Sequence, residues 1–247
     1  MDILYVYKDD SWNGRSLRYS LRSIAKFGGG LDRVYIVGDK PEWLSDEVTY
    51  IPCDDLPNHK AFNIIRKIKY AVDNSDIADD FLISMDDHFY VEPVDFNSYP
   101  YFAKDYIKRD CRHLLPDHID PKWKSPDYTE VLISTRRFLE ANNLPYINLT
   151  LHRNMHMNRQ RLNECWPEIL KTESFETDIE GICYVLNYMY SKGDFDYEVA
   201  RDVKFTHKSK LELTDHVFST EDFIPNGQID LFLQSLFPDK CRYEKLL

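Results

Sequence analysis

The chain has 247 residues, a formal net charge of −11 and 14% aromatic residues. That length can bury a large core in one domain, and the acidic balance argues against nucleic-acid binding through a generally basic surface, leaving only a local basic groove for such a role. The five cysteines are scattered, with no metal-ligand or disulfide spacing, which suits free thiols in a reducing, cytoplasmic setting; no apolar run reaches the ~18 residues of a membrane span, and the N-terminus reads as a strand rather than a signal.

In chain order, Ile3 to Tyr7 is an apolar, β-prone first strand, with Asp9, Asp10, Trp12 and Asn13 at its C-terminal edge. Arg15 to Phe27 is a helix, with Leu17, Leu21, Ile24 and Ala25 on one face and Arg15, Arg18, Arg22 and Lys26 on the other; Gly28-Gly29-Gly30 stops it. Arg33 to Val37 is a second strand ended by Gly38-Asp39, and Val48 to Pro52 a third. A helix over Asn63 to Val72 follows, carrying Arg66, Lys67 and Lys69. Strands alternating with helices make the first half α/β with parallel crossovers. The second half is less regular, with short helices expected over Thr135 to Asn142, Asp178 to Tyr190 and Asp230 to Phe237, and a strand and loop over Lys204 to Ser209. No linker divides the chain, so the expectation is one domain over 1–247. Residues 1–95 form its nucleotide-binding half and 96–247 its acceptor-binding half.

The organising stretch is Phe81 to Val91, FLISMDDHFYV. Its apolar start suits a strand buried on both faces. The adjacent Asp86 and Asp87 then point to opposite sides unless the chain turns there. Hard carboxylate oxygens suit Mg²⁺ or Mn²⁺ bridging nucleotide phosphates, although Asp-Asp also serves as an ordinary turn or cap. Open α/β sheets bind ligands at strand C-terminal ends, which brings Asp9 and Asp39 forward as nucleoside contacts, each with turn capping as its alternative. Arg15 at a helix start and Lys60 before the next helix are positioned for phosphates. His152 and His156 stand four apart, a helical ligand spacing, but Arg153 occupies the position a zincin gives to glutamate, so His152 reads better as an acid or base. Asp178, at a helix start beside Thr177, is either a cap or the base that deprotonates an acceptor hydroxyl.

Arg18 to Ile24 (RYSLRSI), Val34 to Asp39 (VYIVGD) with Pro41-Glu42-Trp43-Leu44, and the later Asp86-Asp87 strand together resemble the Stealth family of sugar-phosphate transferases. The same region is similar to nucleotide-sugar glycosyltransferases of the GT-A fold. The resemblance covers roughly residues 1–95. It departs from the Stealth pattern at Met85, where that family's central motif has Asn, and at Tyr7-Lys8-Asp9-Asp10, where its first block has Val-Asp-Gly. It implies a GT-A-like, mostly parallel sheet flanked by helices with an irregular helical C-terminal region. It also implies metal ligation by Asp86 and Asp87, a nucleoside contact at Asp39, a late histidine, His207, at the metal or phosphates, and His152 in the place of the Stealth catalytic histidine.

The leading expectation is a Mn²⁺- or Mg²⁺-dependent glycosyltransferase that uses a UDP-sugar and a glycan acceptor. DNA carrying a modified base is a second acceptor class, reached through a strip of Arg153, Arg159 and Arg161. The alternatives are a Stealth-like sugar-1-phosphate transferase and a non-catalytic nucleotide-sugar-binding protein.

Overall fold

The computed structural model describes residues 1–9, 12–57, 60–107, 128–171, 179–220 and 224–245. Strand β1 (Asp2–Tyr7) leads into helix α1 (Arg15–Phe27), the two-residue strand β2 (Gly28–Gly29), β3 (Val34–Gly38) and β4 (Val48–Pro52). Helix α2 (Lys60–Asn74) returns the chain to β5 (Asp80–Met85), followed by the short strands β6 (His88–Tyr90), β7 (Val94–Asp95) and β8 (Tyr101–Ala103). The second half carries α3 (Tyr128–Ala141), β9 (Met155–Asn158), α4 (Arg159–Lys171), α5 (Gly181–Lys192), β10 (Tyr197–Val199), β11 (Lys204–Phe205), β12 (Val217–Thr220) and α6 (Gln228–Leu236).

The central sheet has the order β4-β3-β1-β5-β9. Its first four strands are parallel, and β9 closes the edge antiparallel to β5. Alternation along each strand divides the core in two. Ile3, Tyr5, Val34, Ile36 and Leu82 face one layer with Leu17, Leu21 and Ile24 of α1. Leu4, Val6, Tyr35, Val37, Phe81 and Ile83 face the other, with Ile65 and Ile68 of α2 and Val185 and Leu186 of α5. A strand buried on both sides needs an unbroken apolar run, which β1, β3 and β5 have. No helix among the described residues is long and apolar enough to cross a membrane.

Of the four arginine and lysine positions of α1, Lys26 stays exposed and the three arginines are half-buried against the C-terminal segment. Arg15 pairs with Asp230 of α6, Arg18 and Arg22 with Glu244, and Lys26 donates to the Leu236 carbonyl. The C-terminal segment is therefore clamped along the first helix. Leu44 bridges to Glu244, and Tyr243 enters the core beside α1.

β3 ends on Gly38, at φ +124°, where any Cβ would run into the Tyr7 carbonyl oxygen. The strand end can turn toward the β1 edge only because this residue has no side chain. Gly38→Ala is expected to lower unfolding free energy by about 3 kcal/mol, measured as a shift in the urea midpoint; an unchanged midpoint would show that the backbone relaxes freely there.

The second half bears on two readings of its basic residues. The region holding His152 and His156 is a loop entering strand β9, so their separation of four does not place them on a helix face. The expected basic strip does not exist either. Arg153 is 2% exposed and paired with Asp215, Arg159 binds Asp79 and the carbonyls of Val72 and Ile77, and Arg161 pairs with Glu164. Each guanidinium is committed to local structure.

Candidate functional site

The C-terminal ends of β1, β3 and β5 lie side by side, with Tyr7 opposite Gly38 and Val6 opposite Met85. This alignment gathers the acidic residues that follow each strand. The Asp9 backbone N–H donates to Asp39 Oδ2 at 2.7 Å. Asp9 Oδ1 accepts from the Tyr7 hydroxyl at 3.0 Å and from the Gly14 N–H at 3.3 Å. One Asp9 oxygen therefore holds the loop before α1 in place, and Asp39 is tied to the same loop. Trp12 stands in that loop, 50% exposed. Asp10 lies outside the described residues.

At β5 the chain turns, and the two neighbouring carboxylates separate. Ser16, in the first turn of α1, donates to Asp86 Oδ2 at 2.6 Å. Asp87 Oδ1 lies 3.7 Å from His88 Nε2. Both aspartates are half-buried, accessible at the edge rather than sealed in the core. The turn is held from below by serines of α1. Ser20 donates to the His88 carbonyl at 2.6 Å, and Ser23 accepts from the Tyr90 N–H at 3.1 Å. The stripe Ser16-Ser20-Ser23 is at helical spacing in the sequence and was legible there as a second, small-residue face of α1.

His88 is 1% exposed. Burial drives its ring down to about 4; the Asp87 carboxylate opposes that shift, and the His152 ring adds to it. It is therefore neutral at neutral pH. Its Nδ1 faces the Met85 N–H at 3.5 Å, which directs the ring proton to Nε2, on the Asp87 side. His88 also feels Asp202, so this ring stands between the acidic strand end and a second cluster.

That second cluster is built from the other half of the chain. Asp202, just after β10, accepts from the His152 backbone N–H at 2.8 Å and holds His152 Nδ1 at 2.8 Å. Lys104, just after β8, reaches the same carboxylate at 2.5 Å. Lys204, opening β11, lies 3.1 Å from His152 Nε2. Burial pushes the Asp202 carboxyl up, but its hydrogen bonds from His152 and Lys104 outweigh burial and hold it well below the usual carboxylate range. An ionised Asp202 makes Nδ1 the protonated nitrogen and leaves the Nε2 lone pair as the basic one, directed toward Lys204. β8 and β10 are paired, with the Ala200 N–H donating to the Ala103 carbonyl at 2.9 Å. The pairing fixes Lys104 and Asp202 on the same side of His152.

The other expected site residues fall elsewhere. Arg15 Nη2 is 2.9 Å from Asp230 Oδ2; Asp230 is 0% exposed and also bonded to Tyr19 and Asn226. This is a structural ion pair rather than a phosphate clamp. Arg15→Met strands a buried carboxylate and is expected to cost roughly 3–5 kcal/mol. Adding Asp230→Asn should restore a good part of it. Equal unfolding midpoints for the single variant and the wild type would overturn this assignment. His207 is exposed in the turn after β11, and it does not join Asp86 and Asp87 in a three-ligand group. Lys60 opens α2, but its side chain lies outside the described residues, as does Asp178. Lys67, expected on a solvated face, is 3% exposed, donates to the Tyr7 carbonyl and pairs with Asp55 at 2.7 Å, bracing the β1 end from beneath.

Among the described residues no group of three or more histidine, cysteine, aspartate and glutamate side chains is arranged to hold a metal ion, so a cation here would rest on Asp86 and Asp87 alone. Two accessible carboxylates on one turn supply hard oxygen donors, and Mg²⁺ or Mn²⁺ characteristically takes one or two protein carboxylates and completes its shell with water and substrate phosphate. No protein-family model matches the chain, and no curated protein matches it.

Proposed function

We propose that the chain is a transferase that takes a sugar from a nucleotide-sugar donor, a UDP-sugar in the first instance, and attaches it to a hydroxyl acceptor on a glycan. The observation that carries this is one juxtaposition: a carboxylate-oriented imidazole, His152 on Asp202, linked through buried His88 to an acidic turn at the edge of a parallel sheet. In this reading the sheet works as a GT-A-like nucleotide platform. Trp12 offers an indole face to the base, Asp39 meets the nucleoside, and Asp86 and Asp87 hold Mn²⁺ or Mg²⁺. When bound, such an ion neutralises charge on the leaving diphosphate.

The chain's own residues do the rest. Ser16 holds Asp86 by a hydrogen bond, and the His88 ring lies beside Asp87. Asp202 holds the His152 tautomer and stabilises the imidazolium that forms when Nε2 takes the acceptor proton. Reaction with a modified base instead of a glycan would use the same lone pair. A second reading, transfer of a sugar phosphate, is supported by Lys104 and Lys204, whose ammonium groups lie beside Asp202 and His152 and would stabilise charge on a phosphoryl group transferred there.

The two readings differ in product. The chain is incubated with a panel of UDP-sugars and Mn²⁺, and released nucleotide is separated by chromatography. UDP marks glycosyl transfer and UMP marks sugar-phosphate transfer. Asp87→Ala is expected to lower release on the order of 10²-fold. No nucleotide release and no donor-induced thermal shift across the panel would remove both readings and leave the fold with another task.

A further inference from the structure

A pocket shares the His152 loop, and the chemistry proposed above leaves it unused. Tyr101, Phe102, Leu149, Leu151, Leu186 and Phe195 give it aromatic and aliphatic walls. The three leucines are almost fully buried. Leu151 and Arg153, both on the wall, flank His152 in the chain. The strands that bring Tyr101 and Tyr197 to it, β8 and β10, run on toward Lys104 and Asp202. The pocket and the candidate base therefore share one loop and one strand pair.

Two buried polar residues complete the lining, Arg153 and Asn154, each 2% exposed. Arg153 Nη2 donates to Asp215 at 3.0 Å and to the Arg201 carbonyl at 3.1 Å, and the guanidinium lies over the Phe102 ring at 4.5 Å. Its buried Nε makes no hydrogen bond among the described residues, and neither does Asn154 Nδ2. The Asn154 amide acts on the His88 ring as an acceptor does, which turns its oxygen that way and leaves the Nδ2 hydrogens over. A buried donor without an acceptor is costly, and a ligand that supplies one gains accordingly. The chemistry of the wall narrows the ligand. Arg153 is already balanced by Asp215, so an anion would lose its hydration against leucines for little return. A whole sugar ring would set several hydroxyls against the same apolar surface. An acyl group meets every requirement: one carbonyl oxygen with two lone pairs, one methyl group and no charge.

We propose that this pocket holds the acyl group of an acylated sugar acceptor, its methyl among Leu149, Leu151 and Leu186 and its carbonyl oxygen on the N–H groups that Arg153 and Asn154 leave over. The inference rests on the reading of the acceptor as a glycan and names the kind of glycan. A sugar anchored in this way has its ring at the His152 loop, where a hydroxyl can be presented to the base. A sugar without the substituent has no such anchor and binds less tightly.

The experiment is a saturation-transfer NMR titration of the full chain, without nucleotide sugar or metal. The probes are the methyl glycoside of N-acetylglucosamine, an O-acetylated methyl glucoside and plain methyl glucoside. The acyl methyl is expected to take the strongest saturation, and plain methyl glucoside to bind about tenfold more weakly or worse. Tighter binding of the amide assigns an N-acyl acceptor and tighter binding of the ester an O-acyl one, each consistent with the pocket. Asn154→Leu removes one donor, and Leu186→Phe fills the apolar end; each should weaken the acylated probes about tenfold. Lys240→Met, at an exposed position of the C-terminal segment, should leave them unchanged. Thermal midpoints of all variants check the fold, and the comparison of probes on the wild type needs no variant. Equal affinity for all three glycosides, or full affinity for the acylated probes in folded Leu186→Phe, overturns the proposal. Because the readout needs neither donor nor turnover, it can fail while nucleotide release succeeds, and the reverse.

Discussion

His152→Ala is expected to lower transfer by roughly 10²–10⁴-fold, the usual contribution of a positioned base, while donor affinity stays close to that of the wild type. The residues proposed to meet the donor, Asp39, Asp86 and Asp87, follow strands β3 and β5, whereas His152 precedes β9. Asp202 keeps its Lys104 partner when the imidazole is gone, so the fold should persist. Asp202→Asn makes a sharper version of the same test. An amide can present its N–H to Nδ1, which forces the ring proton onto Nε2 and removes the lone pair while the ring stays in place. Both variants should lose kcat with little change in donor KM. Full turnover in His152→Ala would move the base elsewhere on the chain and leave the His152–Asp202 pair a structural contact.

The second large effect is on stability in mild acid. The His88 ring titrates at about 4 in the folded protein, against an ordinary value of 6.5. A depressed folded value means that the unfolded chain binds the proton more readily. Stability from this group is complete above pH 6.5 and is lost as pH falls toward 4, by roughly 3 kcal/mol in all. Burial shifts His156 in the same direction, and the lowered Asp202 extends the loss to still lower pH. His88→Gln keeps an N–H for Asp87 and cannot titrate. Urea unfolding across this window should therefore show a shallower pH dependence in the variant than in the wild type. Parallel curves would mean that His88 carries its proton in the folded protein without penalty.

The parallel half of the fold was written plainly in the chain. Ile3 to Tyr7, Val34 to Val37 and Phe81 to Ile83 are unbroken apolar runs, and only strands covered on both faces use them that way. The α1 stripe of Leu17, Leu21 and Ile24 gave the first helix to the residue. Asp9, Asp39, Asp86 and Asp87 follow from the same logic, since each sits where a strand of such a sheet must end. The second cluster was only one-quarter visible. His152 stood out by residue type, but Asp202, Lys104 and Lys204 lie 50, 48 and 52 positions away. No periodicity links them; the pairing of β8 with β10 and of β11 with β12 creates the contact. Arg15 and the other basic residues of α1 misled for the opposite reason. A charged helix face ordinarily meets water, and nothing local in the sequence announced that Asp230 and Glu244 would cover it.

That cover has a consequence for how the chain reaches its native state. The first helix cannot neutralise its arginines until residue 244 has been made, and the central sheet lacks its outer strand until residue 158 has. β6 likewise waits for β12 to pair with it. Sequence-distant partners of this kind raise contact order and slow folding. During synthesis the early strands would stand with apolar faces partly bare for a long stretch of translation, so the nascent chain, rather than the finished one, is the form most in need of chaperones.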